Sequence, residues 1–331
     1  MVVKEADKNH SLNEIAAVPE QTLSGTEMGH GNEFDDCLYL LGRPTLKRFL
    51  RYVRSHAVNS DDTASLCAEW QAAHSLTQVL EKEEAGIADD CPIQRMGTEY
   101  EPLLIEFLKD PLVRYGFNTV PTEVAIVELD RLVVYQKNID LTFVRQLEKR
   151  LGPAPSVETI FKTCLPYDHP QPPVKSLRVR RNSFTIMSPS NDLRFLGTME
   201  LKSSNVKDYS PPGDLVSVLG LAVGFGSNFL NATYVGKRLI LNNGSHRAYT
   251  LRRIGVTHVP CIIEHVESRH ELELVATSDI VDHKDFFLRN PRPSMLRDYF
   301  NPLLYKIMPV HRRLRQITLR FEVEETFVPA F

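Results

Sequence analysis

Gly244-Ser245-His246-Arg247 is the stretch of this 331-residue chain whose residue types are best suited to holding an anion. Leu239, Ile240 and Leu241 before it form the short apolar run of a covered strand, and Asn243-Gly244 is turn chemistry. Ala248, Leu251 and Ile254 then recur at helical spacing, with Gly255 where a helix usually ends. Val259 to Ile263 reads as a second buried strand that tolerates Pro260 near its start. A strand, turn and helix in this order leave backbone N–H groups free at the helix start, where the dipole is positive and a phosphate fits. His246 and the fork of Arg247 add directional donors. Ser245 either donates to a phosphate oxygen or caps the helix. Arg247 has a plainer alternative, pairing with a surface carboxylate.

A second stretch, Val124 to Gly152, has the form of a strand, a short loop and a helix. Asp140 stands as the helix N-cap, Val144, Leu147 and Leu151 form one apolar stripe, and Gly152 closes it. Together the two stretches resemble the ParB/sulfiredoxin superfamily over Thr119 to Glu264. The resemblance implies a mixed α/β nucleotide-binding domain whose Asn243–Arg247 turn cradles the phosphates of ATP or ADP, with Mg2+. Sulfiredoxins carry Gly-Cys-His-Arg at this turn, and free serine kinases of the superfamily carry Gly-His-His-Arg.

Three departures follow from the same resemblance. Ser245 replaces the sulfiredoxin cysteine and cannot supply a thiolate. Gln136 stands near the place of the kinase glutamate; it can orient a hydroxyl but cannot take its proton, which leaves Glu128 or Asp130 as substitutes. On the helix after Asp140, Phe143, Gln146 and Arg150 occupy phosphate-contacting positions, and of these only Arg150 suits a phosphate. If Arg247 meets phosphate, Arg247→Ala should weaken nucleotide binding with little loss of stability.

Between the two stretches, Ser188 to Gly197 places Asp192 and Arg194 in a turn between strands. Asp192 is the candidate ligand for nucleotide-bound Mg2+, against the alternative of a local turn in which it caps its own backbone. Gly220 to Phe229 is glycine-rich without the spacing of a dinucleotide fold; it reads as a lid, or as close packing of a helix on a strand. His258, His265 and His270 lack metal-ligand spacing, and the five cysteines form no CxxC pair.

The chain is 42% hydrophobic, enough for sizeable cores, with no apolar run near the ~20 residues of a membrane span. A soluble, cytoplasmic protein is expected. Residues 1–170 carry 17 basic and 27 acidic side chains, and 171–331 carry 22 and 15, so the half that holds the turn is positive while the whole is −3. That asymmetry suits an acidic ligand and equally suits an ordinary solvated surface. The expected fold is α+β, a helical N-terminal domain docked on the ParB/sulfiredoxin-like domain. Its parts are a flexible N-terminus (1–30), a helical domain (31–118), the nucleotide-binding domain (119–265) and an extension (266–331). The extension ends in Ile317 to Val328, whose alternation suggests one further strand.

The leading functional expectation is an enzyme that uses ATP or ADP to move a phosphoryl group to a small hydroxylated or amino-acid acceptor. His246 would stabilise charge, and Gln136, Glu128 or Asp130 would orient the acceptor. The alternatives are a ParB-like nucleotide-sensing or DNA-associated regulator and a catalytically inactive scaffold of the same fold. Nucleic acid is a less favoured partner, a membrane partner is not expected, and the helical region could form a homodimer interface.

Overall fold

The computed structural model describes residues 34–59, 62–190, 192–202, 206 and 213–330; the expected flexible N-terminus lies outside them. The first element is a strand, β1 (Phe34–Leu40), followed by helices α1 (Leu46–His56) and α2 (Thr63–Glu83), a two-residue strand β2 (Ile93–Gln94), α3 (Glu101–Phe107) and α4 (Pro111–Gly116). Then come β3 (Thr122–Glu128), β4 (Val133–Val134), β5 (Asn138–Asp140), α5 (Leu141–Leu151) and α6 (Val157–Cys164). Two hairpins follow, β6 (Lys175–Arg180) with β7 (Ser183–Ser188), and β8 (Leu193–Leu201) with β9 (Val218–Phe225). The anion turn lies within β10 (Asn231–Val235), β11 (Arg238–Asn243), α7 (Ser245–Arg253) and β12 (His258–His265). Helices α8 (Arg269–Val275), α9 (Ser278–Asp282) and α10 (Lys284–Arg289) precede β13 (Tyr305–His311) and β14 (Arg315–Arg320).

The chain is α+β, and its largest sheet has six strands in the order β2-β3-β12-β10-β11-β4. β10 runs parallel to β12 and β11 parallel to β4, while the other pairs are antiparallel. Helix α5 forms where the sequence places it. Asp140 Oδ1 accepts from the amides of Thr142 (2.8 Å) and Phe143 (3.0 Å), Leu141, Val144, Leu147 and Leu151 are buried, and Gly152 stops the helix with φ +71°. The two covered strands around the turn are equally clear, since Leu239, Ile240 and Leu241 in β11 and Val259 and Cys261 in β12 are fully buried.

Three expectations differ from the structure. The region 31–118 is not purely helical, because β1 is the middle strand of the sheet β13-β1-β5. Its Leu38 and Leu40 enter one core while Tyr39 and Leu41 enter another, so both faces are buried. A short run that is apolar on both faces has no period by which to tell strand from helix. Second, 118 and 265 are not boundaries between separate bodies: the chain from Phe34 onward is one compact unit, tied by β1, which pairs with β5 and β13 from the two other expected parts. Third, much of the glycine-rich stretch is β9, paired along its length with β8, where Gly220 and Gly224 lie against Met199 and Leu196. Among the described residues no helix is long and apolar enough to cross a membrane.

Candidate functional site

Gly244 has φ +97° and takes the N-cap position of α7, a backbone conformation that glycine adopts without strain. A Cβ there would lie 3.2 Å from Leu230 Cα and 3.3 Å from Arg247 Nη2, so the turn has no room for a side chain. Ser245 is thus the first helical residue and does not cap, as one of its two expected roles required; no side chain caps this helix. Asn243 supports the turn instead, accepting from Gly244 N (2.8 Å) through Oδ1 and donating to Ser227 O (3.0 Å) through Nδ2. The first helical bond runs from Ala248 N to Gly244 O at 2.9 Å. The amides of Ser245, His246 and Arg247 precede it and have no acceptor within the helix, and Ser245 itself is buried.

Parallel pairing of β4 with β11 sets Val134 level with Leu241, so Tyr135, Gln136 and Lys137 emerge beside Asn242 and Asn243. The Tyr135 hydroxyl donates to Asn242 O at 3.1 Å, which locks this loop to the turn. Gln136 therefore lies at the sheet end that carries the turn. Its carboxamide donates to Asn138 O (2.9 Å), and its backbone carbonyl accepts from the Tyr299 hydroxyl (2.6 Å). Burial, and then the nearby Arg48, lower the pKa of Lys137 on the same loop. Tyr135 and Lys137 flank Gln136 on the same loop; the resemblance gave a role to Gln136 alone, and the bond of the Tyr135 hydroxyl to the turn follows from strand register.

His246 is half-buried, with its ring edge-on to Phe143 at 5.7 Å between centroids. Burial, and secondarily the Arg247 charge, push its pKa down to about 4, so at neutral pH it is an uncharged imidazole. It can offer a hydrogen bond but little charge.

Arg247 departs most from expectation. Its side chain is buried, and Nη1 donates to three backbone carbonyls: Asn228 O at 2.6 Å, Thr163 O at 3.2 Å and Cys164 O at 3.3 Å. The guanidinium thus ties α7 to the end of α6 and to the loop before β10. Removing it would take the donor from Thr163 O and Asn228 O and leave Cys164 O with the Leu230 amide alone, so Arg247→Ala cannot leave stability nearly unchanged.

Glu128, Asp130 and Arg150 lie away from the turn. Asp130 makes a two-bond pair with Arg252, at 2.7 and 2.9 Å. Arg252 is seven residues along α7 from Ser245, about 10 Å at the rise of a helix. Glu128 pairs in register with His258, which follows the far end of α7. Helix α5 runs beside α7 in the same direction, with Phe143 against His246 near one end and Glu148 paired with Arg253 (3.2 Å) near the other. Arg150, beyond Glu148 and exposed, belongs to the far end. Spacing in sequence gave no sign of this, because a helix carries neighbouring loops to opposite ends of the same sheet.

Asp192 stands in the turn between β7 and β8 and is paired with Arg194, whose guanidinium lies against Gly226. It is near enough to Arg247 and Tyr135 to influence the ionisation of both. No group of three or more His, Cys, Asp or Glu side chains among the described residues could hold a metal ion. Asp192 is therefore a lone carboxylate, able to join a nucleotide's own oxygens around Mg2+ but not to hold the ion unaided.

A cleft of about 280 Å3 does open at the other end of α7, lined by Asp130, Arg252, Arg292, Arg297 and Asp298 among others. Its charges satisfy one another: Arg292 pairs with Asp298 and Glu84, Arg297 with Glu84, and Arg252 with Asp130. The charges of this cleft are spent on one another, whereas the first amides of α7 have no acceptor within the helix. Comparison of the chain with protein-family models, curated proteins and solved structures found no match.

Proposed function

We propose that this chain binds ATP or ADP, with Mg2+, at the start of α7 and passes a phosphoryl group to a small hydroxylated or amino-acid acceptor. One observation carries the reading: three consecutive amides, on a nine-residue helix entered through a left-handed glycine, with no side chain capping them. Phosphate oxygens would accept from these amides at the positive end of the helix dipole. The neutral His246 would add a hydrogen bond. The resemblance of the turn to the ParB/sulfiredoxin superfamily supports the same ligand. Asp192 would contribute to Mg2+ by exchanging its Arg194 partner for the ion.

Gln136, at the mouth of the turn, would orient the acceptor hydroxyl without taking its proton. Acceleration would then rest on positioning and on donors aimed at developing charge. Binding without turnover is the second reading. It is favoured by the placement of Glu128 and Asp130, neither of which lies at the turn to serve as a base.

Calorimetric titration with ATP, ADP and CTP, each with Mg2+, tests the proposal beside His246→Glu. An acidic residue in the first helical turn favours the helix by about 0.3–1 kcal/mol and repels phosphate. Saturable binding to the native chain, weakened at least about tenfold in the variant at undiminished Tm, is expected. Failure of all three nucleotides to bind ends the proposal. Binding with no nucleotide consumed across a panel of hydroxyl and amino-acid acceptors selects the second reading.

A further inference from the structure

Three buried polar side chains of the large sheet have unspent oxygens, and the proposed nucleotide site uses none of them. Glu264 in β12 is only 5% exposed, yet among the described residues its carboxylate makes no hydrogen bond or ion pair. Thr233 in β10 is fully buried with an unpaired Oγ1, and Asn231, 4% exposed, has an unpaired Oδ1. Burial alone pushes the Glu264 carboxyl up to about 7, with no neighbouring charge acting on it. A buried, ionised carboxylate without a counter-charge is among the costliest groups a fold can hold.

Strand register makes these groups neighbours. Glu264 stands level with Thr233 of β10 on one side and with Thr122 of β3 on the other. Residues level in paired strands share a face of the sheet, and adjacent strands lie about 4.8 Å apart. Ile262, two residues before Glu264, is level with Asn231, so Asn231 falls on that face too. The irregularity beside Asn231 lies in the pairing with β11 and leaves the register with β12 unbroken. Thr122 donates its hydroxyl hydrogen to Val120 O at 2.9 Å, which keeps the lone pairs of its oxygen free. The Asn231 carboxamide donates to Phe229 O at 3.4 Å, so Oδ1 is the end without a partner.

One negative charge thus lies beside neutral oxygens from three adjacent strands. An all-oxygen set suits a hard cation. Divalent ions are ordinarily held by several carboxylates, whereas one carboxylate among neutral oxygens balances a single positive charge. A water molecule could pair the oxygens but would leave the charge uncompensated. We infer that Glu264, Thr233, Asn231 and Thr122 hold an alkali cation, Na+ or K+, that neutralises Glu264 and ties β3, β12 and β10 together.

The test is thermal melting of the full chain at about pH 8, where the Glu264 carboxyl is ionised, in the chlorides of sodium, potassium, methylammonium and choline. Each is used at about 150 mM, so that screening of surface charges is the same in all four. Tm in NaCl or KCl should exceed that in choline chloride by about 2–4 °C, as for an ion at about ten times its Kd. Glu264→Gln keeps the shape without the charge, so it should melt in choline chloride close to the native chain and show no difference among the salts. Thr233→Val should fold and show a reduced difference. In sodium NMR the native chain should broaden the line more than Glu264→Gln does, and added KCl should reverse the excess. Neither measurement includes nucleotide or Mg2+, so the outcome does not depend on the proposed nucleotide site. Equal melting of the native chain in all four salts would mean that water alone fills the site and would overturn the inference. So would stabilisation by methylammonium alone, or a salt difference that survives in Glu264→Gln.

Discussion

Helix α7 begins and ends in opposite electrostatic circumstances. At its C-terminal end Arg252 and Arg253 are answered by Asp130 and Glu148, and Arg252 lies over the Phe300 ring at 5.3 Å. At its N-terminal end the one guanidinium, Arg247, is turned inward to backbone carbonyls, the imidazole beside it is uncharged, and the amides have no cap. Both ends are rich in basic residues in sequence. Basic composition is common to both ends, whereas amides that the protein itself leaves unpaired occur only at the first.

The contrast is broken most directly at Arg247. Arg247→Met should cost about 3 kcal/mol in urea unfolding, because the carbonyls of Thr163 and Asn228 lose their donor and the tie between α7, α6 and the loop before β10 is cut. A variant that unfolds like the native chain but no longer binds nucleotide would move Arg247 from the scaffold into the site. Acid titration of His246 gives the next largest effect. Its pKa is lowered in the fold to about 4 from an ordinary 6.5, so below pH 6.5 the unfolded chain takes up the proton first. Stability from this group is complete above pH 6.5 and is lost as the pH falls toward 4, by about 3 kcal/mol.

Glu264 acts in the opposite sense over nearly the same window. Burial pushes its pKa up to about 7, so the folded chain keeps a proton that the unfolded chain releases near 4.5. The readout is therefore the difference between native and His246→Gln unfolding free energies from pH 7 to 4, which should change with pH as stated. A flat difference would mean that the imidazole is charged and available to a phosphate as a cation. The smallest effect belongs to the far end of α7. Asp130→Asn removes one partner of a pair that is about one-third exposed on each side, so it should cost only about 0.5–1 kcal/mol. Nucleotide titration should be unaltered; weakened binding would restore Asp130 to the site and dissolve the contrast between the two ends.

Much of this was legible in residue order alone. The Asp140 cap, the 144–147–151 stripe and the Gly152 stop define α5, and the run from Leu239 to Ile263 defines a strand, a glycine turn, a helix and a strand. These are local matters: capping, periodicity and positive φ act over a few residues, so neighbouring residue types carry them. The open amides at Ser245–Arg247 belong to the same class, since they follow from where a helix starts.

Tertiary structure alone decided the rest. Whether Arg247 faces a ligand or the core depends on where α6 ends and how the loop before β10 passes, and no spacing along the chain encodes either. Register of β4 beside β11 bonded the Tyr135 hydroxyl to the turn, and the length of α7 carried Glu128 and Asp130 away from it. The strand β1 joined parts that composition separates, because an apolar run buried on both faces looks the same in sequence whichever element it forms. Local propensity is written in adjacent residues, whereas the pairing of distant strands and the direction of a buried charge are settled only when the whole core closes.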